Sequence, residues 1–297
     1  MTRSRGLKSF VLCSLPLLLG VSPAARADED PGALRLPVPE AQRPVTLPKL
    51  VLAPEAGFDV DRQGNAGVFG NLTLSARFGI TDDLTLDAVV APLQLWVPRG
   101  GGFGYGETTE DRGPSLGLTY RFVRGPVEVA ASLAGRLFTV SGLSGSAIMG
   151  SLPIRIHATE SLRLDATPTV NVWIAQQTPS TPPTTIGITP VGAPPSTATS
   201  ASAVRLQLPL DAIYNVTRAF DLGVTTGLTV YDASDARNTT GIPLGALMGF
   251  AMAGSQGPVL DVDPYFSLPY LLMPGRTQPT NSGQYVIGVD LTGYLYL

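Results

Sequence analysis

Apolar and polar residues alternate along most of this chain with a period of two. From 220 to 231, Phe220, Leu222, Val224, Thr226, Leu228 and Val230 share one face, and Asp221, Gly223, Thr225, Gly227, Thr229 and Tyr231 share the other. Residues 162–176 set Leu162, Leu164, Ala166, Val170, Val172 and Ile174 against Arg163, Asp165, Thr167, Thr169 and Asn171. Residues 203–216 set Val204, Leu206, Leu208, Leu210 and Ala212 against Arg205, Gln207, Asp211 and Asn215. A strand with one apolar and one polar face has this period, and a helix cannot satisfy it. Applied along the chain, it predicts about twelve strands, each near the ~9–11 residues that cross a bilayer when tilted. They fall near 49–60, 66–79, 84–97, 113–123, 127–140, 147–158, 162–176, 203–216, 220–232, 242–253, 259–271 and 284–297.

The breaks in the alternation also repeat. Thr81-Asp82-Asp83-Leu84, Thr159-Glu160-Ser161-Leu162 and Thr217-Arg218-Ala219-Phe220 each open an alternating run with a threonine and two mostly polar residues. Gly125-Pro126-Val127 and Gly257-Pro258-Val259 open two more. Between these short turns lie longer Gly/Pro/Ser/Thr connections, near 61–66, 98–112, 141–146, 177–202, 233–241 and 272–283. Short and long connections therefore take turns. The reading is an all-β fold: a membrane-spanning antiparallel up-and-down β-barrel with short periplasmic turns and longer outer loops. A soluble β-sandwich also alternates, but it does not place every short turn on one side.

At the C-terminus, Tyr285, Ile287, Val289, Leu291, Leu295 and Leu297 occupy every second position, with Gly293 the one gap. This resembles the terminal strand of bacterial outer-membrane β-barrel proteins, a porin-like pattern over residues 48–297. The family pattern ends in an aromatic residue, where this chain has Leu297; Tyr294 and Tyr296 fall on the opposite face. The resemblance implies that the barrel-assembly machinery reads this strand, and that outer-membrane lipid surrounds the barrel. It carries no catalytic motif, so no enzyme activity is expected.

Composition sharpens the assignment. The 297 residues include 33 Gly and 27 Pro, with 14% charged and 44% apolar residues. That is too apolar for disorder and too broken for a helical protein. Arg3, Arg5 and Lys8, the apolar run Phe10–Val21 and Ala25-Arg26-Ala27 read as a secretory signal peptide over 1–27. Cys13 falls inside it, so the mature chain is expected to hold no disulfide and no thiolate metal site. Cleavage removes four of the 20 cations and leaves 16 against 23 acids, a net −7. Nucleic-acid partners, which need clustered positive charge, are not expected. Residues 28–47 read as a Pro-rich periplasmic tail, expected to be disordered, with a plug from below as the other outcome.

Assigning the polar strand faces to the interior gives the candidate pore-lining residues. They are Arg77, Asp87, Arg121, Glu128, Arg136, Arg155, His157, Arg163, Asp165, Arg205, Asp211, Asp221, Asp261, Asp263 and Asp290. Most lie within a few residues of a periplasmic turn. At ~3.3 Å per residue they share a depth in the lower half of the barrel, with Arg136 and Arg205 higher. Such a belt is either an internal ion-pair network or a selectivity ring. Acids outnumber arginines, so a ring would favour cations.

Other motifs carry little. His157 is the only histidine, and an inward His does not serve a lipid-facing serine. Asp59-Val60-Asp61 with Gly64-Asn65 is similar to part of a calcium loop but lacks the bidentate acid. No cofactor or metal is expected. Two functions remain open: a narrow channel for small polar solutes or ions, or a non-conducting structural or surface-binding barrel closed by Arg–Asp/Glu pairs. A lipid-modifying enzyme and an autotransporter-type translocator have less support, the latter because about twenty residues precede the first strand.

Overall fold

The repeated turns fold as their composition dictates. The computed structural model describes residues 36–63, 68–97, 104–105, 114–140, 143–177, 200–230, 233, 240–272 and 284–297. The threonine that opens each turn has one task in all three. Thr81 Oγ1 accepts from the Asp83 N–H (3.2 Å) and Thr217 Oγ1 from the Ala219 N–H (3.2 Å). Thr159 Oγ1 accepts from the Ser161 and Leu162 N–H groups (3.2 and 3.0 Å). A hydroxyl bonded two residues on stands in for a backbone turn bond. Gly125 and Gly257 have φ of 126° and 138°, a region that a side chain disfavours, so the Gly-Pro-Val turns require their glycines.

Twelve strands run between the connections. They are β1 (Val51–Gln63), β2 (Val68–Thr81), β3 (Leu84–Val97), β4 (Ser115–Val123), β5 (Val127–Val140), β6 (Leu143–Ser151 and Ile154–His157) and β7 (Leu162–Ala166 and Thr169–Gln177). Then follow β8 (Ser200–Thr217), β9 (Phe220–Val230), β10 (Thr240–Ala253), β11 (Pro258–Leu272) and β12 (Gln284–Gly293 and Leu295–Tyr296). Each pairs antiparallel with its neighbours in sequence, and β12 returns to β1, with Glu55 opposite Thr292 and Gln63 opposite Gln284. The barrel is closed and has no free edge.

Several strands run further outward than the alternation indicates. β1 reaches Gln63, β6 begins at Leu143 and β8 at Ser200, positions expected in outer loops. The signal peptide, residues 28–35 and residues 178–199 of the longest loop lie outside the described residues. Prolines interrupt β6 and β7 side by side, at Pro153 and Pro168, with Pro209 of β8 next to them. A proline cannot donate to the ladder, but its carbonyl still accepts. Ala130 N–H bonds Pro153 O (2.9 Å), Leu152 N–H bonds Pro168 O (2.9 Å) and Thr167 N–H bonds Pro209 O (3.1 Å). The wall stays joined through these carbonyls.

The outer wall is apolar and uncovered. Leu116, Leu133, Leu137, Ile148, Val224 and Ile287 are all more than half exposed. A soluble protein would bury such a surface; here it faces lipid. No helix among the described residues is long and apolar enough to cross a membrane. Leu133, near the middle of β5 and 63% exposed, marks this face. Leu133→Arg is expected to destabilise the folded barrel by ~2–4 kcal/mol, the cost of an arginine near the bilayer midplane. Denaturant unfolding in lipid vesicles measures it.

Candidate functional site

The segment before the first strand carries no alternation, and four prolines between 37 and 48 exclude helix and ladder alike. Its backbone groups must therefore find partners elsewhere. They find them on the barrel wall. Residues 36–50 are not a disordered tail: they cross the periplasmic mouth, with one short 3-10 turn at Glu40–Gln42. Ala41 N–H donates to Asn215 Oδ1 of β8 (2.6 Å), and Val45 N–H to Glu128 Oε2 of β5 (2.7 Å). Leu47 N–H donates to Thr85 Oγ1 of β3 (2.9 Å), and Lys49 N–H to Asp82 Oδ1 in the β2–β3 turn (2.9 Å). From the wall, Arg155 Nη1 reaches the carbonyls of Arg43 and Pro44 (2.8 Å each). His157 Nδ1 lies 2.8 Å from Ala41 O, and since a carbonyl only accepts, that nitrogen carries the proton.

Apolar contacts complete the seat. Leu36 and Leu47 pack with Val51, Ala53 and Tyr294, and Tyr296 lies against them. The two tyrosines that fall on the wrong face for the terminal signature thus point inward, onto this segment. Gly79 of β2 lets the segment come close: a Cβ there would overlap the Pro48 carbonyl.

Arg43 is the centre of the seat. Its side chain is 7% exposed and holds Asp261 of β11 with both terminal nitrogens, Nη1 to Oδ2 and Nη2 to Oδ1 (3.0 Å for the second). Nη1 also donates to Tyr294 Oη (3.0 Å) and lies 2.6 Å from Glu40 Oε2. Nε and Nη2 donate to the carbonyls of Pro37 and Val38 (3.0 Å each). Glu40 also meets Arg163 through Oε1 (2.9 Å). Burial alone would raise the Glu40 carboxyl, but Arg43, Arg163 and Arg155 outweigh it and hold it at about 2. A depressed carboxyl contributes stability above its ordinary value near 4.5, lost as pH falls through about 2. Residue 42 is exposed beside this pair. A spin label on Gln42→Cys is therefore expected to stay immobile from neutral pH to about 4 and to gain mobility only as pH approaches 2.

Twelve of the fifteen candidate residues fall into two groups that share Arg155. Arg121, Glu128, Arg155, His157, Arg163 and Asp165 engage one another and the crossing segment. Arg121 pairs with Glu128 (3.0 Å) and Asp83 (3.1 Å); Arg155 and Arg163 both pair with Asp165 (2.9 Å each). Asp87 accepts from Thr119 Oγ1 (3.0 Å) and stands opposite Arg77 in register. Further up, Arg205 lies 4.3 Å over the Trp173 ring, and Arg136 stands opposite Ser115 and Ala147.

The second group borders a cavity of about 430 Å³ above the crossing segment. Its floor includes Glu40, Arg43, Pro44 and Leu47; its wall includes Arg77, Arg155, Asp211, Asp221, Asp261, Asp263 and Asp290. Charge is segregated around it. The arginines come from β2 and β6, and the acids come from β8, β9, β11 and β12. Asp211, Asp221, Asp263 and Asp290 make no arginine salt bridge among the described residues. Alternation located the wall carboxylates but not Arg43, which lies on no strand. No set of His, Cys, Asp and Glu among the described residues could hold a metal ion.

No family model matches the chain, and no curated protein matches its sequence. Solved structures match its fold. The NanC porin superposes with a TM-score of 0.51 at 10% identity, over 82% of this chain and 100% of that one. An outer membrane channel from Pseudomonas putida F1 gives 0.52 at 10% identity, over 84% and 97%. The chain has the fold of the porin-like outer-membrane β-barrels.

Proposed function

We propose that this protein is a narrow outer-membrane channel for small polar solutes, favouring cations, whose periplasmic mouth is held by its own residues 36–50. The observation that carries the reading is the cavity wall, where four carboxylates make no arginine salt bridge among the described residues. Charged groups lining a constriction set which ions and polar solutes cross. The fold neighbours, a porin and an outer membrane channel, support passage in general and leave the solute open. Residence in the bacterial outer membrane after signal-peptide cleavage, and recognition of β12 by the assembly machinery, belong to the same reading. His157 has no catalytic part in it, since its ring is committed to Ala41 and lies 3.8 Å from Glu128.

The second reading, a non-conducting barrel, has its own support. Arg121, Arg155 and Arg163 are all paired, and residues 36–50 cross the mouth. Single-channel recording in planar bilayers separates the two. Conductance from the wild-type barrel, or from one whose segment has been released, supports the channel. A folded barrel silent in both forms would sink it.

A further inference from the structure

The cavity is bordered by more carboxyl groups than arginines. Asp261 is taken by Arg43, while Asp221 of β9 and Asp263 of β11 border the same space with no arginine salt bridge among the described residues. Asp221 is only 4% exposed, and its Oδ1 is buried without a hydrogen-bond partner among the described residues. A buried carboxylate oxygen lacking a donor is costly, and a donor brought from outside removes that cost. Space for the carboxylate is built in: Gly249 stands opposite Asp221 on β10, and a Cβ there would overlap it.

Arg43 shows which donor fits. Its planar fork spans both oxygens of Asp261, and Tyr294 Oη receives Nη1 (3.0 Å) while donating to Asp261 Oδ2 (2.7 Å). This geometry matches a guanidinium and not a point-like ammonium. We propose that Asp221, Asp261, Asp263 and Tyr294 form a binding site for guanidinium-type organic cations, occupied at rest by the chain's own Arg43. A free guanidinium solute competes with Arg43 for it and loosens the segment that Arg43 anchors. The proposal rests on the cavity being the solute's path, and it narrows that solute to one class.

Arginine amide, which carries no carboxylate for the acidic wall to repel, is the probe; lysine amide and tetramethylammonium are the comparisons. Each is titrated calorimetrically into the folded full chain in detergent, with folding checked by heat-modifiable gel mobility. Arg43→Ala is expected to bind arginine amide at least ~tenfold more tightly than wild type, because the resident competitor is gone. Arg43→Lys keeps the charge but loses the fork, and is expected to fall between. Adding Asp221→Asn to Arg43→Ala reverses most of the gain, and lysine amide binds ~tenfold more weakly than arginine amide. Equal affinity in wild type and both Arg43 variants overturns the site. So does indifference to Asp221→Asn, or equal binding of the three cations. Binding by a barrel that never conducts counts against the channel and keeps the site; conductance without binding keeps the channel and overturns the site.

Discussion

Arg43→Ala is expected to turn a barrel of low or no conductance into an open one. The substitution removes the fork on Asp261, the contact to Tyr294 and the pair with Glu40 in one step. Breaking a buried pair by removing one partner costs about 3–5 kcal/mol, because the remaining charge stays buried and unmatched. At tenfold per ~1.4 kcal/mol, the ratio of docked to released residues 36–50 falls by roughly a hundredfold or more. Planar-bilayer recordings should show a higher open probability, or long openings where wild type has none. Gly79→Val tests the same element without touching a charge, since its side chain would displace the Pro48 carbonyl. If both variants fold, both release a spin label at residue 42, and the current is unchanged, then this segment does not control passage.

Removing three carboxylates from the acidic wall is expected to weaken cation preference. In the Arg43→Ala barrel, Asp211, Asp263 and Asp290 are replaced together by asparagine, which keeps shape and removes charge. A unit charge about 4 Å from a passing ion contributes ~1 kcal/mol in bulk water and ~4 kcal/mol at a protein surface. Each lost carboxylate therefore changes relative permeability several-fold. The potassium-over-chloride ratio, read from reversal potential in a salt gradient, should fall several-fold in the triple variant, in which Asp221 and Asp261 remain. A ratio that stays high would assign selectivity to the carboxylates left in place, Asp221 and Asp261.

The barrel was legible because period two is a local signal. The alternation of β9 is set by eleven consecutive residues and needs no partner to be read. The same locality explains the misses. Leu152-Pro153 and Thr167-Pro168 divide β6 and β7, yet each division is tolerated only because the neighbouring strand donates to the proline carbonyl. The outward extensions of β1, β6 and β8 are small-residue and polar stretches, where alternation has no contrast. Arg43 was beyond reach for a different reason. Its partner Asp261 lies 218 residues away, and nothing periodic marks the segment that carries it. The one trace was the pair Tyr294 and Tyr296, aromatic residues on the face opposite the terminal signature.

The segment at the mouth also fixes an order of events. Residues 36–50 are made before any strand, yet their partners lie on β3, β5, β6, β7, β8, β11 and β12. Asp261 and Tyr294 are brought together by the pairing of β11 with β12, the last two strands made. What is synthesised first is therefore seated last. A barrel still lacking β11 and β12 has no partner for the Arg43 fork, so the full seat forms only on the complete wall.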